Sequence, residues 1–216
     1  MVKDLPKPMA DINGRPFLCY LLDYLSQFSI SKILLSVGYK YDLIKNYFGS
    51  SYENMSIKYV IEDKPLGTGG AIKKALAFVE ADECAVLNGD TFFNLDLKQM
   101  IDFHQKEDSM LTIAVKPMND FDRYGTVIIK DRKVVGFNEK SFRRFGYING
   151  GVYVVKKAIS GFFKSGEDAF SFEADFLNEK ISGIRSFAFI SDEYFIDIGI
   201  PDDYKKAQKE LIFLKE

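Results

Sequence analysis

The sequence predicts an α/β fold, a mostly parallel sheet wound with helices and followed by mixed or antiparallel strands. Three observations lead there. Short apolar runs of strand length alternate with helical patterns through the first half, the signature of βαβ units. After residue 108 the helices thin out and short strands with tight turns, such as Asp131-Arg132, take over. The 216 residues, 47% apolar and 15% aromatic, suffice for one well-filled core and exclude a disordered chain. One domain, 1–216, is expected, with halves of about 1–108 and 109–216 and no linker or repeat between them.

The elements follow in order. Phe17, Leu21, Leu25 and Phe28 recur at helical spacing after the breakers Asn13, Gly14 and Pro16. Ile33–Val37 reads as a strand, 41–48 as a helix and Ile57–Ile61 as the next strand. Gly67-Thr68-Gly69-Gly70 then opens a helix holding Ala71, Ile72, Ala75, Leu76 and Phe78. Cys84-Ala85-Val86-Leu87 is a fully apolar strand that runs into Asn88-Gly89-Asp90. Strands are expected over 111–115, 126–129, 134–137, 146–155, 187–190 and 194–196. A last helix begins at Pro201, with Asp202 and Asp203 in its first turn.

Charge and scarce residues narrow the function. With 29 basic against 31 acidic residues the net charge is −2 and the isoelectric point is near 5.6, which argues against a nucleic-acid partner. No apolar run approaches the roughly 18 residues of a membrane span. The start Met1-Val2-Lys3-Asp4-Leu5-Pro6 lacks a signal peptide's apolar core, so a cytoplasmic protein is expected, without a membrane partner. Cys19, Cys84 and the single histidine, His104, cannot supply a four-ligand zinc site. Both thiols are expected to pack as small apolar groups in a reducing compartment. His104 lies in a polar run and is expected to be solvated at a helix end. Serine and cysteine triads therefore lose their base.

The remaining chemistry sits at turns. In open α/β sheets ligands bind beyond the carboxyl ends of strands, and Asp90 and Asp197 each follow a strand there. Two carboxylates on neighbouring strand ends could hold Mg2+ together with substrate phosphates, or could be ordinary turn aspartates. The glycines at 67–70 suit a phosphate at a helix N-terminus or a purely structural turn. They are not a Walker loop, and Ile72 stands where a dinucleotide fingerprint needs its third glycine. Prolines on both sides of Lys7 suggest an extended backbone that aims one cation at a phosphate, or simply a terminal tail. Glu139-Lys140 precedes Phe142-Arg143-Arg144-Phe145, which reads as an anion-facing segment or a solvated hairpin tip.

Taken together and in order, six segments resemble the sugar-1-phosphate nucleotidyltransferase family over nearly the whole chain. They are Pro6-Lys7-Pro8-Met9, Pro65-Leu66-Gly67-Thr68-Gly69-Gly70-Ala71, Asn88-Gly89-Asp90, Glu139-Lys140, Asn149-Gly150-Gly151-Val152-Tyr153 and Phe195-Ile196-Asp197-Ile198-Gly199-Ile200-Pro201. The resemblance implies a doubly wound, Rossmann-like nucleotide-binding core with a mixed-sheet sugar-binding half. It puts Lys7 on nucleotide phosphates, Gly67, Thr68, Gly69 and Gly70 on the base and ribose (in place of a phosphate), and Asn88 and Asp90 in the nucleotide site. Asp90 and Asp197 would hold Mg2+. Glu139, Asn149 and Gly151 would grip sugar hydroxyls, with Gly125 beside them and Lys140 on the sugar phosphate. A nucleoside triphosphate and a sugar 1-phosphate are the implied partners, and a homodimer is compatible. Within the family the run is most similar to guanylyltransferases acting on D-glycero-D-manno-heptose 1-phosphate, with the mannose 1-phosphate enzymes close behind. Such enzymes make nucleotide sugars for surface polysaccharide.

The sequence departs from that pattern in two places. The family's glycine-rich triphosphate loop and first strand would precede Pro6, where five residues stand; Phe195 and Ile200 stand where Trp and Thr are common. Two other readings remain open. One is a dinucleotide-dependent oxidoreductase with Asp90 on a ribose, about 20 residues after the glycines. The other is a non-catalytic relative that binds nucleotide or sugar phosphate.

Overall fold

The computed structural model describes residues 5–212; Met1–Asp4, on which the leader reading partly rests, lie outside the described residues. The fold is α/β with sheets of mixed parallel and antiparallel pairing. The chain folds into two compact units, each assembled from separate segments. Among the described residues unit 1 holds 5–64, 88–94 and 194–212, and unit 2 holds 65–87 and 95–193. The change of texture near residue 108 thus falls inside unit 2, where strands take over from the helices, and the unit boundaries lie elsewhere.

Unit 1 opens with a small hairpin, β1 (Asp11–Ile12) and β2 (Arg15–Pro16), turned by Asn13-Gly14. Helix α1 (Phe17–Ser26) buries Phe17, Leu18, Cys19, Tyr20, Leu21, Leu22, Tyr24 and Leu25. The helix is apolar on most sides and stops before Phe28, so the one-face stripe expected from sequence understates its burial. Strands β3 (Lys32–Val37) and β5 (Met55–Ile61) pair in parallel across helix α2 (Tyr41–Phe48), with the short β4 (Ser51–Tyr52) antiparallel at the edge of β5.

Unit 2 starts with helix α3 (Gly67–Leu76) and strand β6 (Glu83–Leu87). The chain returns to unit 1 for β7 (Thr91–Phe93), then re-enters unit 2 through helix α4 (Leu97–Lys106). Asp96 caps α4: its carboxylate accepts from the Gln99 N–H at 2.9 Å and from the Gln99 side-chain amide at 2.8 Å. Strands β8 (Leu111–Phe121), β9 (Thr126–Lys130), β10 (Lys133–Asn138), β11 (Arg143–Lys156) and β12 (Ser186–Ile190) join β6 in a six-stranded sheet. Its order is β6-β11-β8-β12-β10-β9, and only β8 and β12 run parallel. The strand β6, part of the apparent parallel alternation, is antiparallel to β11. Ile148 of β11 also pairs with Thr126 of β9, so the sheet curls back on itself. Leu111, Ile113, Val115, Tyr153, Val155, Phe172 and Leu177 lie in its core. The chain re-enters unit 1 with β13 (Phe195–Asp197) and the helix Pro201–Glu210.

His104 corrects the sequence reading. It is fully buried, and its Nδ1 lies 2.8 Å from Thr112 Oγ1. Leu97, Met100 and His104 share the buried face of α4, and that periodicity outweighs the polar residues after it. Both cysteine thiols are free, and burial pushes that of Cys84 up to about 11, so the chain keeps it protonated and inert. Among the described residues no helix is long and apolar enough to cross a membrane.

Candidate active site

Unit 1 gathers Lys7, Asp90 and Asp197. Lys7 opens a single 3-10 turn, Lys7–Met9, closed by the Met9 N–H on the Pro6 carbonyl (2.8 Å) and the Ala10 N–H on the Lys7 carbonyl (2.9 Å). The flanking residues are extended, Pro6 with φ −56° and ψ 139° and Ala10 with φ −58° and ψ 130°. The expected extended stretch is replaced by a turn because proline's fixed φ also suits the start of a helix, where Pro8 sits.

Strand register brings the two aspartates together. β7 and β13 pair antiparallel with Thr91 opposite Asp197, which leaves Asp90 one residue away. The Ile198 N–H donates to the Asp90 carbonyl at 3.0 Å. Lys7 Nζ donates to Asp90 Oδ2 at 2.8 Å, and the Gly199 N–H to Asp197 Oδ1 at 2.8 Å. A Cβ at residue 199 would lie 2.9 Å from that Asp197 oxygen and 3.2 Å from Lys7 Nζ, so glycine keeps the ammonium and carboxylate uncrowded.

The electrostatics are unbalanced. Burial pushes the Asp197 carboxyl above the ordinary carboxylate range; the Gly199 N–H opposes this, the Asp90 charge adds to it, and Lys7 opposes it again. The Lys7 ammonium is raised, first by its hydrogen bond to Asp90. Side-chain exposure of 56% at Lys7 and 30% at Asp90 leaves the group open to a ligand. The donor set fits Mg2+, a hard cation that takes one or two carboxylates plus water and phosphate oxygens. The raised Asp197 supports the fit, since a divalent cation there would offset both the burial and the Asp90 repulsion that raise it. Among the described residues no group of three or more His, Cys, Asp or Glu could hold a metal ion, which leaves this two-carboxylate arrangement. Asn88 stands half-buried between β6 and Asp90.

The glycine segment belongs to unit 2, and there the glycines form the first turn of α3 itself. The Gly69 and Gly70 N–H groups donate to the Phe170 carbonyl at 2.9 and 3.3 Å. A protein carbonyl thus takes the helix N-terminus that a phosphate would otherwise use. A Cβ at Gly69 would stand 2.2 Å from the Phe170 ring, and one at Gly70 2.1 Å from the Asp168 carbonyl. Gly69 and Gly70 are buried; Gly67 and Thr68 are exposed.

The sheet of unit 2 collects the other candidates. Thr126, the neighbour of Gly125, pairs with both Asn138 and Ile148. That register brings Gly125, Glu139, Lys140 and Asn149 to adjoining positions, with Glu139 and Lys140 exposed just past β10. Between Asn149 and Tyr153 the β11–β8 register shifts. Gly151 has φ +69° there, a left-handed conformation that side chains disfavour, and its N–H donates to Asn149 Oδ1 at 3.0 Å. Arg143 and Arg144 lie exposed at the start of β11.

Sequence reasoning missed Glu173 and gave Tyr153 no role. Glu173 Oε2 accepts from Thr68 Oγ1 at 2.6 Å, and Glu173 Oε1 from the Tyr153 hydroxyl at 3.0 Å. Tyr153 in turn accepts from Asn149 Nδ2 at 2.8 Å. The local signal at Glu173 is only that of an acidic residue in a first helical turn after the cap Ser171; nothing in its spacing marks the long-range partners.

Comparison with known proteins identifies the family. Residues 1–212 match the family described as Nucleotidyl transferase. The chain belongs to that family. It is 51% identical over 211 residues to a D-glycero-alpha-D-manno-heptose 1-phosphate guanylyltransferase of Aneurinibacillus thermoaerophilus, covering 98% of this chain and 91% of that protein. A protein of the same name from Campylobacter jejuni is 48% identical, covering 94% of this chain and 90% of its own. Among solved structures, HddC from Yersinia pseudotuberculosis superposes with a TM-score of 0.88 at 42% identity, covering 97% of this chain and 92% of the other. The same protein complexed with GMP-PN gives 0.87.

Proposed function

We propose that this chain transfers GMP from GTP to D-glycero-α-D-manno-heptose 1-phosphate, releasing pyrophosphate and forming the GDP-sugar, in the cytoplasm. The observation that carries the reaction class is the open Lys7–Asp90–Asp197 group in unit 1. The likeness to two heptose 1-phosphate guanylyltransferases over nearly the whole chain supports the choice of base and sugar.

The chemistry needs little acid–base apparatus, because a phosphate oxygen of the sugar 1-phosphate is already anionic at neutral pH. That oxygen attacks the α-phosphorus of GTP in line; the new P–O bond forms as the bond to pyrophosphate breaks. The residues position the phosphates and neutralise charge. Lys7 would turn its ammonium to the nucleotide phosphates. Asp90 and Asp197 would hold Mg2+, which when bound offsets charge on the triphosphate. The exposed Gly67 and Thr68 would meet the base and ribose, with Gly69 and Gly70 shaping that turn and Asn88 beside Asp90. Gly125, Glu139, Asn149 and Gly151 would take the sugar hydroxyls and Lys140 the sugar phosphate. On this reading both units serve one nucleotidyltransferase domain.

Pyrophosphate release across a panel of nucleoside triphosphates and sugar 1-phosphates tests the proposal. The expected result is Mg2+-dependent release that is strongest with GTP and the heptose substrate. A strong preference for UTP or dTTP would overturn the assignment of base, and silence across the panel would favour a binding-only protein.

A further inference from the structure

We propose that Glu173 is a positioning residue that, acting through Tyr153, fixes which way the Asn149 amide faces and so which sugar hydroxyls it can serve. This rests on the reading that Asn149 meets the sugar. All the groups involved lie in unit 2.

The argument concerns hydrogen-bond polarity. An ionised carboxylate can only accept. Glu173 accepts from Thr68 Oγ1 at 2.6 Å, from Ser171 Oγ at 3.3 Å and from the Tyr153 hydroxyl at 3.0 Å. Tyr153 is fully buried and has one proton to give. Once that proton points at Glu173, only lone pairs remain for Asn149, which must offer its Nδ2–H, at 2.8 Å. The Asn149 oxygen is thereby turned to the Gly151 N–H, at 3.0 Å. A donor at residue 173 would reverse every link: Tyr153 would donate to Asn149, the amide would flip, and its NH2 would face the Gly151 N–H, donor against donor.

Amide oxygen and nitrogen are nearly alike in shape, so packing alone does not select between them. The two fixed ends of the chain of bonds do: the acceptor-only Glu173 carboxylate at one end and the donor-only Gly151 N–H at the other. The relay is also insensitive to pH on the alkaline side, because burial raises the Tyr153 hydroxyl well above its ordinary value and keeps it a donor. Half-buried Asn149 then retains one N–H and one oxygen lone pair. That pair suits a polyhydroxy ligand offering an acceptor beside a donor, as neighbouring sugar hydroxyls do. Thr68 ties the same carboxylate to the glycine turn, and its own oxygen accepts the Phe172 N–H at 2.8 Å.

The test uses the full chain carrying Tyr153→Phe, Asn149→Ala and both together. The phenylalanine keeps the ring's edge contact with Phe172, at 5.3 Å between centroids. Loss of one oriented hydrogen bond predicts a roughly tenfold rise in KM for the heptose 1-phosphate in each single variant, with KM for GTP within about twofold. The double variant should be no worse than Asn149→Ala alone, because Tyr153 acts only through Asn149. Should Tyr153→Phe fail to fold, Glu173→Leu, which removes the acceptor and frees the Tyr153 proton for Asn149, must show the same rise in the sugar KM. An unchanged sugar KM, a harmless Asn149→Ala, or single effects that multiply in the double variant would overturn the proposal. So would a fall in kcat and melting temperature with both KM values unmoved. Calorimetric binding of the heptose 1-phosphate to wild type, with a non-hydrolysable GTP analogue present, separates the two readings. No binding to wild type removes the sugar reading and this proposal with it, whereas wild-type binding that Tyr153→Phe leaves unchanged removes this proposal alone.

Discussion

In unit 1, Lys7 meets Asp90 at 2.8 Å with more than half of its side chain still exposed, while Asp197 keeps a carboxyl that burial pushes up. In unit 2, the hydroxyls of Thr68, Ser171 and Tyr153 all donate to Glu173, and Tyr153 is fully buried. One cluster leaves charge under-compensated and within reach of solvent; the other satisfies its polar groups internally. The contrast separates two tasks. A group that must bind phosphate and a cation is held in a costly state until they arrive, whereas a group that must hold geometry is saturated beforehand.

Substitutions can break that contrast. The largest effect is expected at Asp90: Asp90→Asn should lower kcat on the order of a thousandfold while the circular dichroism spectrum and melting temperature stay near wild type. Asp197→Asn should also lower turnover steeply, though by less, yet it should raise the melting temperature by roughly 2 °C. The sign follows from the raised carboxyl. Its contribution to stability is greatest when protonated and is lost as pH rises from about 3.9 through the raised value, so at neutral pH the charge is a burden that the amide removes. A lower melting temperature for Asp197→Asn would contradict the strained-carboxylate account.

The glycine turn should respond in stability. Gly70→Ala places a Cβ 2.1 Å from the Asp168 carbonyl and 2.9 Å from Leu66 Cβ, so denaturant melts should show a loss of about 2–3 kcal/mol. Thr68→Val deprives Glu173 of a donor and the Phe172 N–H of its acceptor, and a smaller loss of about 1 kcal/mol is expected by the same measurement.

The smallest effect sharpens the comparison from outside both clusters. Burial holds His104 below its ordinary value, with Glu83 and Asp108 pulling it up and Lys156 pushing it down. A lowered folded value means that the unfolded chain takes the proton first. Stability is therefore full above about pH 6.5 and falls as pH drops below it. His104→Asn, whose amide takes the place of the ring Nδ1 beside Thr112 and does not titrate, should flatten melting temperature between about pH 7 and 5 relative to wild type.

Much of the fold was legible because it depends on local pattern. The helix Tyr41–Phe48 and the strand cores at 33–37, 57–61 and 84–87 follow from periodicity and punctuation. The motifs around Lys7, Asp90 and Asp197 were legible as turns with chemistry in them, whereas Asn149 lay in an expected strand and drew a role only from the family resemblance. The rest was set by pairing across the chain. The opposition of Thr91 and Asp197, the antiparallel seating of β6 on β11 and the interleaving of the two units all join residues tens of positions apart. His104 was misread because its polar followers masked a buried helical face. Glu173 was missed because its partners lie 20 and 105 residues away.

The most direct test of the central claim is a Mg2+ titration of pyrophosphate release from GTP and D-glycero-α-D-manno-heptose 1-phosphate, run on wild type and Asp90→Asn side by side. The account predicts saturable, chelator-sensitive release by wild type and almost none from the variant at any Mg2+ concentration. Full release in the presence of a chelator, or equal release by the two proteins, would contradict the assignment of Lys7, Asp90 and Asp197 as the centre of the reaction.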